Sequence, residues 1–257
     1  MNQSERRNYL IQKLLEEQPQ YAKMQIPEKS EEQKMLLRSL MNIRMPGKIN
    51  KEFQQIQDAY LAEENAAKGV VTPADMEELS PEIYLWKGDI TRLQVGAIVN
   101  AANSGMTGCY QPCHNCIDNC IHTYAGIELR NYCNELMLHQ GHEEPTGQAK
   151  ITPAFNLPCD YVIHTVGPIV RGRLTVEHER LLVSCYEACL RIAEENNIES
   201  IAFCCISTGV FMFPNERAAE LAVQTVKQYK DRTKSKIKVI FNVFKEEDER
   251  IYRGLLR

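Results

Sequence analysis

From about residue 70 onward the sequence predicts an α/β sandwich with a largely parallel sheet. Two observations carry that reading. Strand-like apolar runs alternate with segments of helical periodicity, the pattern of a sheet covered by helices. The stretch 97–126, AIVNAANSGMTGCYQPCHNCIDNCIHTYAG, then reads as strand, polar loop and helix. That order delivers reactive groups to the carboxyl edge of such a sheet. Its opening triplet, Ala97, Ile98 and Val99, is a buried-strand signature, and Ile117, Ile121 and Tyr124 mark the helix.

Residues 1–70 read as a helical extension ahead of a domain covering 71–257. An amphipathic run begins at Tyr9, Leu10, Gln12, Lys13 and Leu14, and Pro27 breaks it. Ser30 and Gln33 suggest a capping box before Met35, Leu36, Leu37 and Leu40. A third helix carries Phe53, Ile56, Tyr60 and Leu61 on one face and fades into Ala66, Ala67, Lys68 and Gly69. Strands are expected over 83–86, 97–99, 161–164, 200–206 and 238–243. Helices are expected over 117–137, 176–195, 215–229 and 246–256, with Asn215 as an N-cap.

The chain has 257 residues, 44% hydrophobic and 25% charged, with a net charge of −4. No global positive field draws in nucleic acid or an anionic membrane, so any phosphate must be held by backbone amides and helix ends. No apolar run reaches the length of a membrane span and MNQSERRNYL has no signal-peptide core, so the expected location is the cytoplasm. The ten cysteines and six histidines all fall between Cys109 and Cys205. The extension therefore has no thiolate or imidazole to offer a metal.

Several short segments sit at strand ends. Asp89, in Gly88-Asp89-Ile90-Thr91, can accept a hydrogen bond from an exocyclic amine, or can cap a short helix at 91–93. Ser207, Thr208, Gly209, Val210 and Phe211 make a small-residue turn whose amides can form an anion nest, with Phe211 free to lie against a ribose or base.

Together with Asn100-Ala101-Ala102-Asn103, Thr146-Gly147-Gln148-Ala149 and the run from Tyr161 to Pro168, these segments resemble the macrodomain, the ADP-ribose-binding module. The resemblance covers roughly residues 80–257. It implies a three-layer α/β/α fold with a mixed, largely parallel central sheet. It also implies that Asp89 and the amide of Ile90 read adenine and that residues 207–211 hold the diphosphate. Asn103 and Asp118 would then stand at the distal ribose as catalytic groups. The family usually has glycine one residue after the aromatic of the last motif, where this chain has Met212.

The loop between Asn103 and Asp118 is longer than in related hydrolases, and thiols and an imidazole replace its glycines. It looks like the zinc-containing subgroup, in which Cys-x4-His-x-Cys holds a zinc ion; Cys109, His114 and Cys116 fit that spacing. Thiolate and imidazole are preferred zinc ligands, and three of them leave a tetrahedral position open. A closed site would need Cys113 or Cys120 as a fourth ligand. Cys133, Cys159, Cys185, Cys189, Cys204, Cys205, His122 and His164 read as structural. Asp118 could also serve as the N-cap of a helix from Asn119.

The implied function is zinc-dependent removal of mono-ADP-ribose from acidic side chains of modified proteins. By the same resemblance the subgroup is associated with a bacterial sirtuin-type ADP-ribosyltransferase and a lipoyl-carrier protein substrate. An ADP-ribose reader without turnover and an O-acetyl-ADP-ribose deacetylase are the other classes the motifs allow.

Overall fold

The computed structural model describes residues 1–21 and 23–257. Three helices come first: α1 (Gln3–Glu16), α2 (Ser30–Ile43) and α3 (Lys51–Ala67). Their apolar stripes meet in a core of their own, built on Leu10, Ile11 and Leu14, Leu37 and Leu40, and Phe53 and Leu61, with Ile127 added from the later chain. The expected Ser30–Gln33 capping box does not form. Lys29 holds the cap position without a side-chain bond, and Ser30 is already helical. Gln33 turns inward instead, accepting from Arg7 Nε at 2.9 Å and donating to the Pro27 carbonyl at 2.8 Å. A buried guanidinium needs that acceptor more than the helix end needs the cap.

The remaining chain runs β1 (Glu77–Ser80), β2 (Ile83–Lys87), β3 (Ala97–Ala102), α4 (Ile117–Ala125), α5 (Ile127–Gln140), β4 (Ala149–Pro153) and β5 (Tyr161–Val166). It ends with α6 (Val176–Glu195), β6 (Ser200–Phe203), α7 (Asn215–Thr233), β7 (Lys238–Val243) and α8 (Glu246–Leu256). The strands form one seven-stranded sheet in the order β1-β2-β7-β6-β3-β5-β4. The five inner strands are parallel, and β1 and β4 pair antiparallel at the two edges. Helices flank the sheet, so the expected α/β/α fold with a mixed, largely parallel sheet is the one observed. Its core is continuous, from Ile98 and Val99 through Ile163, Ile201 and Phe241.

Three local differences from the sequence reading have simple causes. The helix expected over 117–137 is two helices, because Gly126 takes φ +100 between them. A Cβ there would stand 2.8 Å from Gln57 Nε2, and Gln57 Oε1 accepts from the Ile127 amide at 3.0 Å. The break is where α3 docks. Strand β6 stops at Phe203 rather than 206, as the chain turns out toward Ser207 at φ +66. Asn215 is the first residue of α7 and not its cap, which is Pro214. Its side chain ties the helix to α8, donating to Asp248 Oδ1 at 2.7 Å.

Arg130 joins the extension to the sheet domain. Its Nη1 donates to the carbonyls of Met41, Asn42 and Arg44 at 3.0, 2.7 and 2.7 Å, satisfying the end of α2. Its Nε donates to the Thr107 carbonyl at 2.8 Å.

Candidate active site

The parallel strands all end on one edge of the sheet, where the motif residues collect. Asp89 follows β2, Asn103 follows β3, Gly167 follows β5, residues 207–211 follow β6, and Phe244 follows β7.

Asp118 lies in the first turn of α4 and is buried. It is not the helix cap. Cys116 holds that position, its Sγ accepting from the Asn119 amide at 3.4 Å, so the helix begins at Ile117. Two amides grip the carboxylate: Asn100 Nδ2 donates to Oδ1 at 2.8 Å and Asn103 Nδ2 reaches Oδ2 at 3.3 Å. Burial nevertheless pushes the carboxyl up to about 6, against the pull of these amides and of Arg130.

The two buried histidines stand beneath it. His122 Nε2 is 3.6 Å from Asp118 Oδ1. His164 Nδ1 faces Asn100 Nδ2 at 3.1 Å and its Nε2 faces Thr152 Oγ1 at 3.0 Å. An amide nitrogen can only donate, so Nδ1 accepts and the proton sits on Nε2. Burial lowers His164 to about 3 and His122 well below the usual imidazole range, so both rings are neutral. Gly108, at φ +85, packs on the His122 ring, where a Cβ would meet Cγ at 2.7 Å. Both His122 ring nitrogens are buried without a hydrogen-bond partner among the described residues, whereas both of His164's are engaged. Cys133 joins them in a buried group whose candidate ligand atoms lie within 4.8 Å of one another.

The loop above holds a second such group. Ligand atoms of Cys109, His114 and Cys116, all partly exposed, lie within 4.8 Å of one another, with Cys109 Sγ 3.7 Å from His114 Nδ1. A tetrahedral zinc with its usual bond lengths would set a sulfur–nitrogen edge of about 3.5 Å, so the donor set and its spacing fit that ion. Cys113 and Cys120 are engaged elsewhere. Cys113 Sγ lies 3.2 Å from Ser39 Oγ, and Cys120 Sγ accepts from Arg38 Nη2 at 3.6 Å. Cys133, Cys159, Cys185, Cys189 and Cys204 are buried, Cys205 is partly so, and burial pushes the thiols of Cys133, Cys159 and Cys204 up to about 12.

Asp89 fulfils the capping expectation with one oxygen. Oδ1 accepts from the amide and hydroxyl of Thr91, at 3.0 and 2.7 Å, at the start of a short 3-10 turn over Ile90–Arg92. Oδ2 lies 3.7 Å from Lys68 Nζ. Lys68 also sits over the Tyr124 ring, 2.7 Å from its centre, and burial lowers its amine to about 8. Ile90 packs into the core.

The 207–211 turn is closed by the Phe213 amide on the Ser207 carbonyl at 3.0 Å and the Met212 amide on Gly209 at 3.0 Å. The Phe211 carbonyl accepts from the Val170 amide at 2.9 Å, which ties the turn to the segment after β5. Ser207 Oγ is buried without a partner among the described residues. Met212, where the family usually has glycine, takes φ +54. That is the left-handed region, where a side chain carries strain that glycine would not.

Sequence reasoning missed Lys68 and Phe244. Lys68 left no local signal, being the residue just past the end of a fading helix. Phe244 was visible as an aromatic directly after an apolar strand, and it is 78% exposed on the site's edge.

Comparisons with known proteins identify the family. The Macro domain family matches residues 99–222. A Treponema medium protein named Protein-ADP-ribose hydrolase is 57% identical over 260 residues, covering all of both chains. A protein of the same name from Staphylococcus aureus strain MRSA252 is 45% identical over 254 residues, 96% of this chain and 94% of its own. The solved Trypanosoma brucei macrodomain in complex with ADP-ribose superposes with a TM-score of 0.67 at 26% identity, over 86% of this chain and 95% of its own. With a full-length relative at that identity and the motif residues on one sheet edge, the chain belongs to the macro domain family.

Proposed function

We propose that the protein is a hydrolase that removes mono-ADP-ribose from acidic side chains of modified proteins, with zinc at Cys109, His114 and Cys116. The observation that carries this reading is the placing of Asp118: a buried carboxyl gripped by Asn100 and Asn103, two residues beyond the ligand-bearing Cys116. The names borne by the full-length relatives support the reaction class. The ten free cysteines suit a reducing, cytoplasmic setting. Among the described residues no helix is long and apolar enough to cross a membrane.

In this reading Asp89 and Ile90 receive the adenine, with exposed Phe244 beside them. Residues 207–211 cradle the diphosphate through their backbone amides. The distal ribose then falls between Asn103 and Asp118. Its anomeric carbon bears the ester to a glutamate or aspartate of the substrate, for which a lipoyl-carrier protein is the candidate. A carboxylate leaves without a strong acid behind it, so the site must align a nucleophile more than protonate a leaving group. Asp118, when ionised, accepts a hydrogen bond from a water or ribose hydroxyl and fixes its direction; Asn103 holds the carboxylate in line. Zinc held by Cys109, His114 and Cys116 would supply positive charge and Lewis acidity to the reaction.

The test is a side-by-side assay of the full chain on a protein carrying glutamate-linked mono-ADP-ribose and on O-acetyl-ADP-ribose, before and after chelation and zinc restoration. Release of ADP-ribose from the protein that is lost on chelation and regained with zinc supports the reading. Binding without release would make the protein a reader, and turnover of the acetyl ester alone would make it a deacetylase.

A further inference from the structure

The ligand loop is held from outside its own domain. Between β3 and α4, residues 103–116 form no helix or strand, so the directions of Cys109, His114 and Cys116 depend on what grips the backbone between them. Two side chains of α2 do so. Arg38 Nη2 donates to the His114 carbonyl at 2.8 Å, and Asn42 Oδ1 accepts from the Cys113 amide at 2.9 Å.

Arg38 acts a second time through α4. It also donates to Asn119 Oδ1 at 2.9 Å. With its oxygen so engaged, the Asn119 amide must turn Nδ2 toward the loop, where it meets the carbonyls of Cys109 and Gln111 at 3.3 and 2.9 Å. One guanidinium thus fixes the peptide of one ligand directly and, by setting an amide's orientation, the peptide of another. Asn42 is itself locked, its Nδ2 donating to Thr123 Oγ1 at 3.0 Å.

We propose that Arg38 and Asn42 are positioning residues for the metal ligands, so that the N-terminal helices set the zinc affinity while contributing no ligand. The inference rests on the reading of Cys109, His114 and Cys116 as a zinc site. Groups that orient ligands from behind typically change metal affinity by about 10- to 100-fold when removed.

The experiment measures zinc affinity of the full chain against a chromophoric chelator, with thermal melting of the metal-free form of each variant. Arg38→Ala and Asn42→Ala should each weaken zinc by about tenfold or more. Arg38→Lys should also be weak, because both bonds leave the terminal Nη2, which lies one bond beyond the reach of a lysine Nζ. Arg6→Ala, which removes an exposed pair with Glu63 elsewhere in the extension, should leave zinc affinity at the parent level. If Arg38→Ala fails to fold, Arg38→Lys and Asn42→Ala carry the same comparison. Folded variants that hold zinc as the parent does would overturn the inference and leave the zinc reading standing. A parent that takes up no zinc would overturn both.

Discussion

Asn100 reaches up from β3 and donates through Nδ2 to Asp118 Oδ1 at 2.8 Å. The second hydrogen of the same amide goes to His164 Nδ1, so the strand holds the carboxylate and a neutral imidazole together. Replacing Asn100 with Ala removes a hydrogen bond to a charged group, a loss of about 1.5–3 kcal/mol. The expected outcome is a fall in kcat of about tenfold or more with ADP-ribose affinity retained. Steady-state kinetics together with calorimetric binding checks it, and an unchanged kcat would remove Asn100 from the site's support.

Cys116 caps α4 and, in the proposed reading, is also a zinc ligand. Cys116→Ser keeps an oxygen able to accept from the Asn119 amide, whereas Cys116→Ala loses cap and ligand together. Loss of such a cap costs about 1 kcal/mol. Both variants should lose zinc and turnover, but only Cys116→Ala should show the added fall in melting temperature. Zinc content, hydrolysis rate and melting on the same preparations separate the two duties. A zinc-free variant that hydrolyses at the parent rate would leave the chemistry to Asp118 alone.

Asp89→Ala should weaken ADP-ribose about tenfold or more, by loss of a hydrogen bond to a carboxylate. It should leave zinc content untouched, because Asp89 is outside the ligand loop. Calorimetry reads the first and metal analysis the second; unchanged affinity would sink the adenine assignment.

The buried histidines predict a pH dependence of stability. Both are held neutral in the fold, His164 with its pKa lowered to about 3 and His122 lowered well below 6.5. Below 6.5 the unfolded chain takes up protons that the native state refuses, so stability falls as pH drops toward about 3. Each such histidine contributes a slope of about 1.4 kcal/mol per pH unit. Asp118 works the other way, since its carboxyl, raised from 3.8 to about 6, binds its proton more tightly in the native state. It offsets about one histidine between those values. Melting curves from pH 7 down to pH 4 should therefore fall less steeply for His164→Asn than for the parent, and parallel curves would contradict the neutral assignment.

The sequence made the parallel strands legible because a strand buried on both faces must be apolar along its length, as Ala97–Val99 and Val239–Phe241 are. It hid the edge strands for the complementary reason. Glu77–Ser80 is half in water, and the strand ending at Pro153 carries Lys150 and Thr152, so neither shows an apolar run. The break at Gly126 was invisible because the apolar pattern continues into Ile127, and only the docking of Gln57 from a remote helix demands it. The clustering of Cys109, His114 and Cys116 could be found because their spacing is local. Arg38, Asn42 and Arg130 could not, since their partners lie about 70 to 90 positions away and no periodicity marks such a contact.

Arg130 gives the first three helices their thermodynamic character. Three carbonyls at the end of α2 and one in the ligand loop converge on a single guanidinium that is almost wholly screened from water. Peeling the helices away would break three hydrogen bonds from a charged donor, each worth about 1.5–3 kcal/mol, besides exposing apolar area. These bonds tie the extension to the sheet domain through a buried side chain. The extension should melt with the sheet in a single transition, and a change that loosens it should reach the loop of Cys109, His114 and Cys116.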